Sequence, residues 1–244
     1  MKRLEELSLN AHPALQTELY DGWIIRFANG YTGRANSVSA LYSSTISLDE
    51  KIDECERRYA RKGLPCKFKI VEGLSPELDA HLEKRGYEII TPTDVMTLAL
   101  KDKVNSKGEI IITPNADEEW FNSYIAFEEM NDTNNIMTAR EIFSNVKETA
   151  IYCRILDNDE TVAVASAVIE CGYMLLHNVV VKPGVRGKGY GRLLCMSILD
   201  AAMDKGAKTS YLQVVQTNEA AMNLYKGLGY KKLYTYWYRS KNML

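Results

Sequence analysis

The residues Leu175-Leu176-His177-Asn178-Val179-Val180-Val181-Lys182-Pro183-Gly184-Val185-Arg186-Gly187-Lys188-Gly189-Tyr190-Gly191 turn from a mostly apolar run into a turn dense in glycine and positive charge. The valine-rich part reads as the end of a strand, and an apolar helix starts near Tyr190. Glycine lets the backbone turn sharply and approach a ligand closely, so that successive N–H groups and a helix dipole converge on an anion. Between Glu170 and Asp200 there is no Asp or Glu, while Lys182, Arg186, Lys188 and Arg192 crowd the turn. A phosphate is the natural guest. A Walker loop needs GxxxxGK[ST], which is absent, and a dinucleotide loop needs GxGxxG with an acidic residue about 20 positions on. On this stretch alone, a nucleotide-binding module and a solvated basic turn both remain readings.

Outward from the turn, the flanking segments alternate. Downstream, Gly189 to Lys205, Lys208 to Val215, Asn218 to Leu228 and Tyr230 to Tyr238 read as helix, strand, helix, strand. Upstream, Thr149 to Leu156, Thr161 to Ile169 and Tyr173 to Val181 read as strands of an antiparallel meander, joined at Asp157-Asn158-Asp159 and Cys171-Gly172. Before them come a strand over Ile110 to Thr113, a helix over Asp117 to Met130, a polar loop over Asn131 to Asn135 and a helix over Met137 to Val146. The polar residues Lys101 to Gly108 read as a linker, with a boundary near residue 104 between domains 1–104 and 105–244. In the first half, Trp23 to Phe27 and Ala35 to Leu41 form an expected hairpin. A helix over Leu48 to Tyr59, a strand over Cys66 to Val71, a helix over Pro76 to Lys84 and a strand over Tyr87 to Leu100 follow. The pattern predicts an α/β (α+β) fold with a mixed, mostly antiparallel sheet flanked by helices. Sliding the second half so that Lys205-Gly206 falls on Lys62-Gly63 also brings Gly229-Tyr230 onto Gly86-Tyr87, which suggests duplication of one unit.

Composition narrows the function classes. The 244 residues are 46% apolar and 25% charged, enough for one large core or two modest ones, with a net charge of −2. That balance gives no general attraction to nucleic acid or an anionic membrane. No apolar run approaches the ~20 residues that span a bilayer, and the start lacks a signal peptide's apolar core. A cytoplasmic location is expected. Cys55, Cys66, Cys153, Cys171 and Cys195 include no CxxC pair, and there are only three histidines, so neither a disulfide framework nor a metal site is expected.

At Val179 to Gly191 the sequence resembles the acyl-CoA signature of the GNAT (GCN5-related) N-acetyltransferases, R/Q-x-x-G-x-G/A after a strand ending in V-x-P. The segment Asn218-Glu219-Ala220-Ala221-Met222-Asn223-Leu224-Tyr225-Lys226-Gly227-Leu228-Gly229-Tyr230 is similar to the family's second signature, N-x-x-A-x-x-L-Y-x-x-x-G-F/Y. The resemblance covers about residues 108 to 240. The first half looks like a truncated, divergent copy, as in tandem-GNAT proteins. There Ser43 to Leu48 fall on Arg186 to Gly191 with neither glycine nor cation, so only the second half is expected to bind acyl-CoA.

The resemblance implies two GNAT-like domains in tandem and direct transfer of acetyl from acetyl-CoA to a primary amine in a ternary complex, without a metal. Two strands would splay, exposing backbone at Val179, Val180 and Val181 to the pantetheine arm. Arg186, Gly187, Lys188, Gly189, Tyr190, Gly191 and Arg192 would hold the pyrophosphate, and Asn218 would bond the pantetheine or cap its helix. Tyr225 stands where the family carries the acid that protonates the departing thiolate. The ribosomal-protein members carry a Glu five residues before that Asn, and here the position is Gln213, which cannot accept a proton. Glu170, His177 and a water chain are the candidate bases. Glu128, Glu129 and Asp132 could attract a cationic acceptor, and Tyr234, Tyr236 and Tyr238 either line its pocket or pack in the core. The acceptor is a small-molecule or peptide amine, and a homodimer is possible. The rival reading is a catalytically silent acyl-CoA sensor or interaction protein using the same pocket.

Overall fold

In the computed structural model, which describes residues 1–104 and 108–241, the chain forms two compact units. The first comprises Met1–Asp94, Val215–Thr217 and Tyr234–Leu244, and the second Val95–Val214 and Asn218–Leu233. Residues 105–107 of the expected linker lie outside the described residues. The units part between Asp94 and Val95, ahead of the boundary expected near residue 104, and neither is one continuous stretch.

In the first unit, α1 (Lys2–Ala11), β1 (Gln16–Tyr20), β2 (Trp23–Phe27), β3 (Val38–Ala40), α2 (Leu48–Arg61), β4 (Lys67–Val71) and α3 (Pro76–Lys84) lead into β5 (Glu88–Ala99). The expected hairpin forms, with Trp23, Ile24 and Ile25 opposite Ala40, Ser39 and Val38. Its second strand is shorter than expected, because the Asn36 side chain takes the turn's backbone: it accepts from the Ala28 and Gly30 amides and donates to the Tyr31 and Thr32 carbonyls. Strand order is β1-β2-β3-β4-β11, where β11 (Lys231–Ser240) is the last strand of the chain. β3 pairs parallel to β4, and Tyr236–Ser240 pair antiparallel to Val71–Lys67. One face buries Trp23, Ile25, Phe27, Ile52, Tyr59, Phe68, Ile70, Leu82 and Tyr87. The other is polar although buried. Glu5 on α1 pairs with Lys69 and accepts from the Tyr234 hydroxyl, so Tyr234 serves this core rather than an open pocket.

The second unit takes the end of β5, then β6 (Glu109–Thr113), α4 (Glu118–Phe127), α5 (Thr133–Ser144), β7 (Thr149–Asp157), β8 (Glu160–Glu170), β9 (Tyr173–Val181), α6 (Tyr190–Asp204), β10 (Thr209–Val215), α7 (Glu219–Gly227) and the start of β11. Strand order is β5-β10-β9-β8-β7-β6. The meander β6 to β9 is antiparallel, and β9 pairs parallel to β10. Helix α6 packs its Leu194, Cys195, Ile198 and Ala202 onto Ile151, Cys153, Ala165, Ala167 and Leu176. The polar loop expected at Asn131 to Asn135 is shorter than that, because Asp132 accepts from the Asn135 amide at 2.8 Å and starts α5 at Thr133. The order β3-α2-β4-α3-β5 thus recurs as β9-α6-β10-α7-β11. Among the described residues no helix is long and apolar enough to cross a membrane.

Candidate active site

The glycine turn lies between β9 and α6. Gly184, Gly187 and Gly189 adopt φ values of 74°, 83° and 90°, and a Cβ at any of them would meet nothing within 4 Å. Their requirement is therefore conformational, and the space beside them is open. Helix α6 starts on Gly189, which has no side chain to cap it, and its first internal bond runs from the Leu193 amide to the Gly189 carbonyl at 3.0 Å. The amides of Tyr190, Gly191 and Arg192 thus face outward from an uncapped helix start, where a dipole favours an anion. By contrast α4, α5 and α7 start with the carboxylate or carboxamide of Asp117, Asp132 and Asn218 on their own backbone.

The cations of the turn have structural duties as well. Arg186 donates from Nε to the Val181 carbonyl at 3.2 Å, and Arg192 donates to the Gly227 carbonyl at 3.1 Å, tying β9 to the turn and α6 to α7. Lys182 pairs with Glu160, and the Tyr190 hydroxyl donates to Asp157. The gap in acidic residues along the sequence is thus partly closed in space by the β7–β8 turn. Lys188 is exposed. Tyr190 can serve a ligand through its amide while its ring anchors the helix.

The sheet opens beside this turn. The β9–β10 register runs from Tyr173↔Thr209 to Leu176↔Leu212 and stops, although β9 continues to Val181 and β10 to Val215. The cause is a bulge. Val180 lies opposite Val164 and His177 opposite Ser166, so Asn178 and Val179 together face Ala165, and Asn178 adopts φ 52°. The Trp120 indole donates to the Ala165 carbonyl at 3.0 Å, satisfying a group the bulge takes out of the ladder. The bulge also changes which side chains face α6: Met174 and Leu176 are in that core, and past the bulge Val179 and Val181 pack against it, while Val180 is buried elsewhere.

Tyr225, on α7, belongs to the same core as Cys195, Leu176 and Val214, with its ring 5.9 Å from that of Tyr230. Burial raises its pKa well above the ordinary tyrosine value, so the hydroxyl keeps its proton at neutral pH. Leu224, its neighbour, and Val181 each lie 3.5 Å from where a Cβ on Gly191 would stand, so α7, the end of β9 and the start of α6 meet there. Asn218 accepts from the Ala221 amide at 3.1 Å and so caps α7, leaving its amide nitrogen for another bond. Burial pushes the Cys195 thiol up to about 12, which removes it as a nucleophile.

The two candidate bases are separated. His177 is buried at the bulge, its Nδ1 3.4 Å from the Asn178 side-chain nitrogen Nδ2, which also donates to Ser166 Oγ at 2.8 Å. Glu170 pairs with Tyr173 at the other end of β9, four residues of strand or roughly 13 Å from His177. The structure packs Val179, Val181, Tyr190 and Tyr225 around one core beside the glycine turn, while His177 lies at the bulge and Glu170 beside the other end of β9. Asn178, Trp120 and Asp157 are additions that sequence reasoning missed. The only local signal was an Asn, a residue tolerant of positive φ, interrupting a valine run.

The sequence matches the family described as "Probable histone acetyltransferase Rv0428c C-terminal" over residues 1–239. It is 26% identical over 246 residues to the "Uncharacterized N-acetyltransferase YobR" of Bacillus subtilis, covering 99% of this chain and 98% of that protein. Its fold is similar to a solved "GCN5-related N-acetyltransferase from Kribbella flavida", with TM-score 0.76 at 15% identity, covering 100% of this chain and 96% of that one. A "Tandem GNAT protein from the clavulanic acid biosynthesis pathway" aligns with TM-score 0.66 at 13% identity, over 99% and 88% of the two chains.

Proposed function

Because the chain belongs to the Rv0428c C-terminal family of GNAT acetyltransferases, we propose that it moves acetyl from acetyl-CoA to a primary amine, and that the second unit alone binds the coenzyme. The observation that carries this reading is the coincidence, at one end of β9, of parted strands, an uncapped helix start and a buried tyrosine. Acetyl-CoA supplies the acetyl group as an activated thioester.

The residues present fit that co-substrate. The amides of Gly187 to Arg192 suit a diphosphate, with Lys188, Arg186 and Arg192 contributing charge and no metal needed. Main-chain groups of Val179, Val180 and Val181 lie where β9 has left β10, and they suit an amide-bearing arm. Tyr225 holds a proton for the departing sulfur. An acceptor amine with pKa ~10.4 is neutral in about one molecule in a few thousand at pH 7, so its proton must be removed. Gln213 cannot take it and Glu170 is remote, which leaves His177 or water at the parted strands. Direct attack in a ternary complex is the route we assign, since Cys195, the cysteine on the helix after the glycine turn, is buried and protonated.

Calorimetry with acetyl-CoA, followed by a turnover assay over a panel of small-molecule and peptide amines, tests the reading. Saturable binding with one coenzyme per chain, plus transfer to at least one amine, is expected. Tyr225→Phe should bind acetyl-CoA as the native chain does while kcat falls by on the order of 10²-fold. No heat with acetyl-CoA overturns the proposal, and binding without transfer to any amine favours a sensor.

A further inference from the structure

In the first unit, the loop from β3 to α2 occupies the place in the β3-α2-β4 order that the glycine turn occupies in β9-α6-β10. Lacking glycine and cation, Ser43 to Ser47 look inert in the sequence. In space they close over the tip of the β1–β2 hairpin, where Asp21 has φ 41° and Gly22 φ 80°. The Tyr42 amide donates to the Gly22 carbonyl at 3.2 Å, and a Cβ on Gly22 would stand 2.3 Å from the Ser43 carbonyl oxygen, so only glycine admits this approach.

What the loop closes on is a carboxylate. The Thr45 amide donates to both Asp21 oxygens at 3.0 and 2.9 Å, the Ile46 amide to Oδ2 at 2.9 Å, and the Thr45 hydroxyl to Oδ1 at 2.9 Å. Lys51, on α2 and fully buried, brings its ammonium to 3.2 Å from Asp21 Oδ2. It also donates to the Asp21 carbonyl and to Ser44 Oγ, and it lies 4.2 Å from the centre of the Trp23 ring. A hairpin aspartate that merely tidies a loop does not need a buried ammonium. Here a charge has been taken out of water, and an anion must stay beside it.

We propose that the first unit carries a built oxyanion site, formed by the Thr45 and Ile46 amides, the Thr45 hydroxyl and the Lys51 ammonium, which the chain fills with its own Asp21 carboxylate. The first unit is thereby self-liganded, and it presents no anion-binding turn to acyl-CoA. Emptied of the carboxylate, the site takes a tetrahedral oxyanion such as inorganic phosphate. The same amides, with Ile46 foremost, hold Asp21 far below the usual carboxylate range, so it is anionic across the working pH range. The correspondence with the glycine turn rests on the proposed function, while the site itself rests on the Asp21 and Lys51 geometry.

The test uses the full chain with Asp21→Gly, a substitution that suits φ 41° and leaves room where the carboxylate stood. Its melting temperature should fall by more than about 5 °C. Inorganic phosphate should then raise it further than it raises the native chain's, with sodium chloride at equal ionic strength as reference. Asp21→Gly/Lys51→Met should lose that extra shift. If Asp21→Gly does not fold, Asp21→Asn serves: the native chain's stability advantage over it should shrink as the pH drops below about 4, where Asp21 begins to protonate in the unfolded chain. An Asp21→Gly variant as stable as the native chain, an equal response to phosphate in both, or an Asn gap that ignores pH overturns the proposal. Acetyl-CoA calorimetry on the native chain reports separately on the second unit, so the two readings fail independently.

Discussion

Tyr225 is asked to be buried and to keep a proton, and burial supplies both. Its folded-state pKa lies above the ordinary value of ~10, because the ionised form is the one that burial penalises. The sign follows: a raised pKa leaves the acid form intact as pH climbs, so the acid role proposed for Tyr225 should not be lost at the usual tyrosine value. At saturating acetyl-CoA, kcat should hold or rise between pH 8 and about 10, as amines become neutral. A fall with a midpoint below 10 that Tyr225→Phe abolishes would contradict this. Gly189 meets a different constraint. With φ 90° and open space around it, Gly189→Ala should cost roughly 1–2 kcal/mol of backbone strain rather than a clash. Because the strain is relieved by turning the amides away, the KM for acetyl-CoA should rise at least about tenfold, while melting shifts only a few degrees.

Among the elements, the bulge in β9 does most to shape the site. Deleting Asn178 should restore an even ladder to Val181, so that β9 stays beside β10 and the backbone of Val179 to Val181 is no longer offered to a ligand. The expected outcome is a folded protein that has lost acetyl-CoA heat in calorimetry, with a melting temperature within a few degrees of the native one. What could be read from the sequence divides along physical lines. The glycine turn, α6, α7 and the meander were legible, because motif spacing and apolar periodicity are local. Helix α1 was not, since its buried face mixes Leu4, Leu7 and Ala11 with Glu5 and Ser8, and the polar pair blurs the period. β1, with Gln16, Thr17 and Glu18, is a polar strand at the end of the first unit's order and shows little alternation. Tyr190's bond to Asp157 and Trp120's bond to Ala165 each join residues dozens of positions apart, and no local pattern carries them.

Over the whole chain, the closing strands matter most. β5 starts in the first unit and ends in the second, and β11 starts in the second and ends in the first. In the first unit, Trp237 donates to Asp79 at 2.9 Å, and Arg239 donates to the same oxygen at 2.8 Å while also reaching the Tyr87 carbonyl. Tyr234, Tyr236 and Tyr238 are buried there too. A chain stopped after Leu233 should therefore leave Asp79 without Trp237 and Arg239, deprive Glu5 of the Tyr234 hydroxyl, and expose apolar surface on β4. Its melting temperature should drop by more than about 10 °C, or it should accumulate as insoluble protein. A soluble product melting near the native temperature would show that β11 is dispensable to the first unit. Fragments cut at residue 104 should fail for the same reason, each lacking a strand encoded in the other.

That traffic of strands also bears on how such a gene could change. A deletion discarding the first half, to which the proposed function gives no coenzyme loop, would carry off Val95–Ala99 with it and cripple the other unit. On the proposed function, selection on chemistry alone would thus preserve a unit that performs none, and a doubling of this kind would become a one-way ratchet.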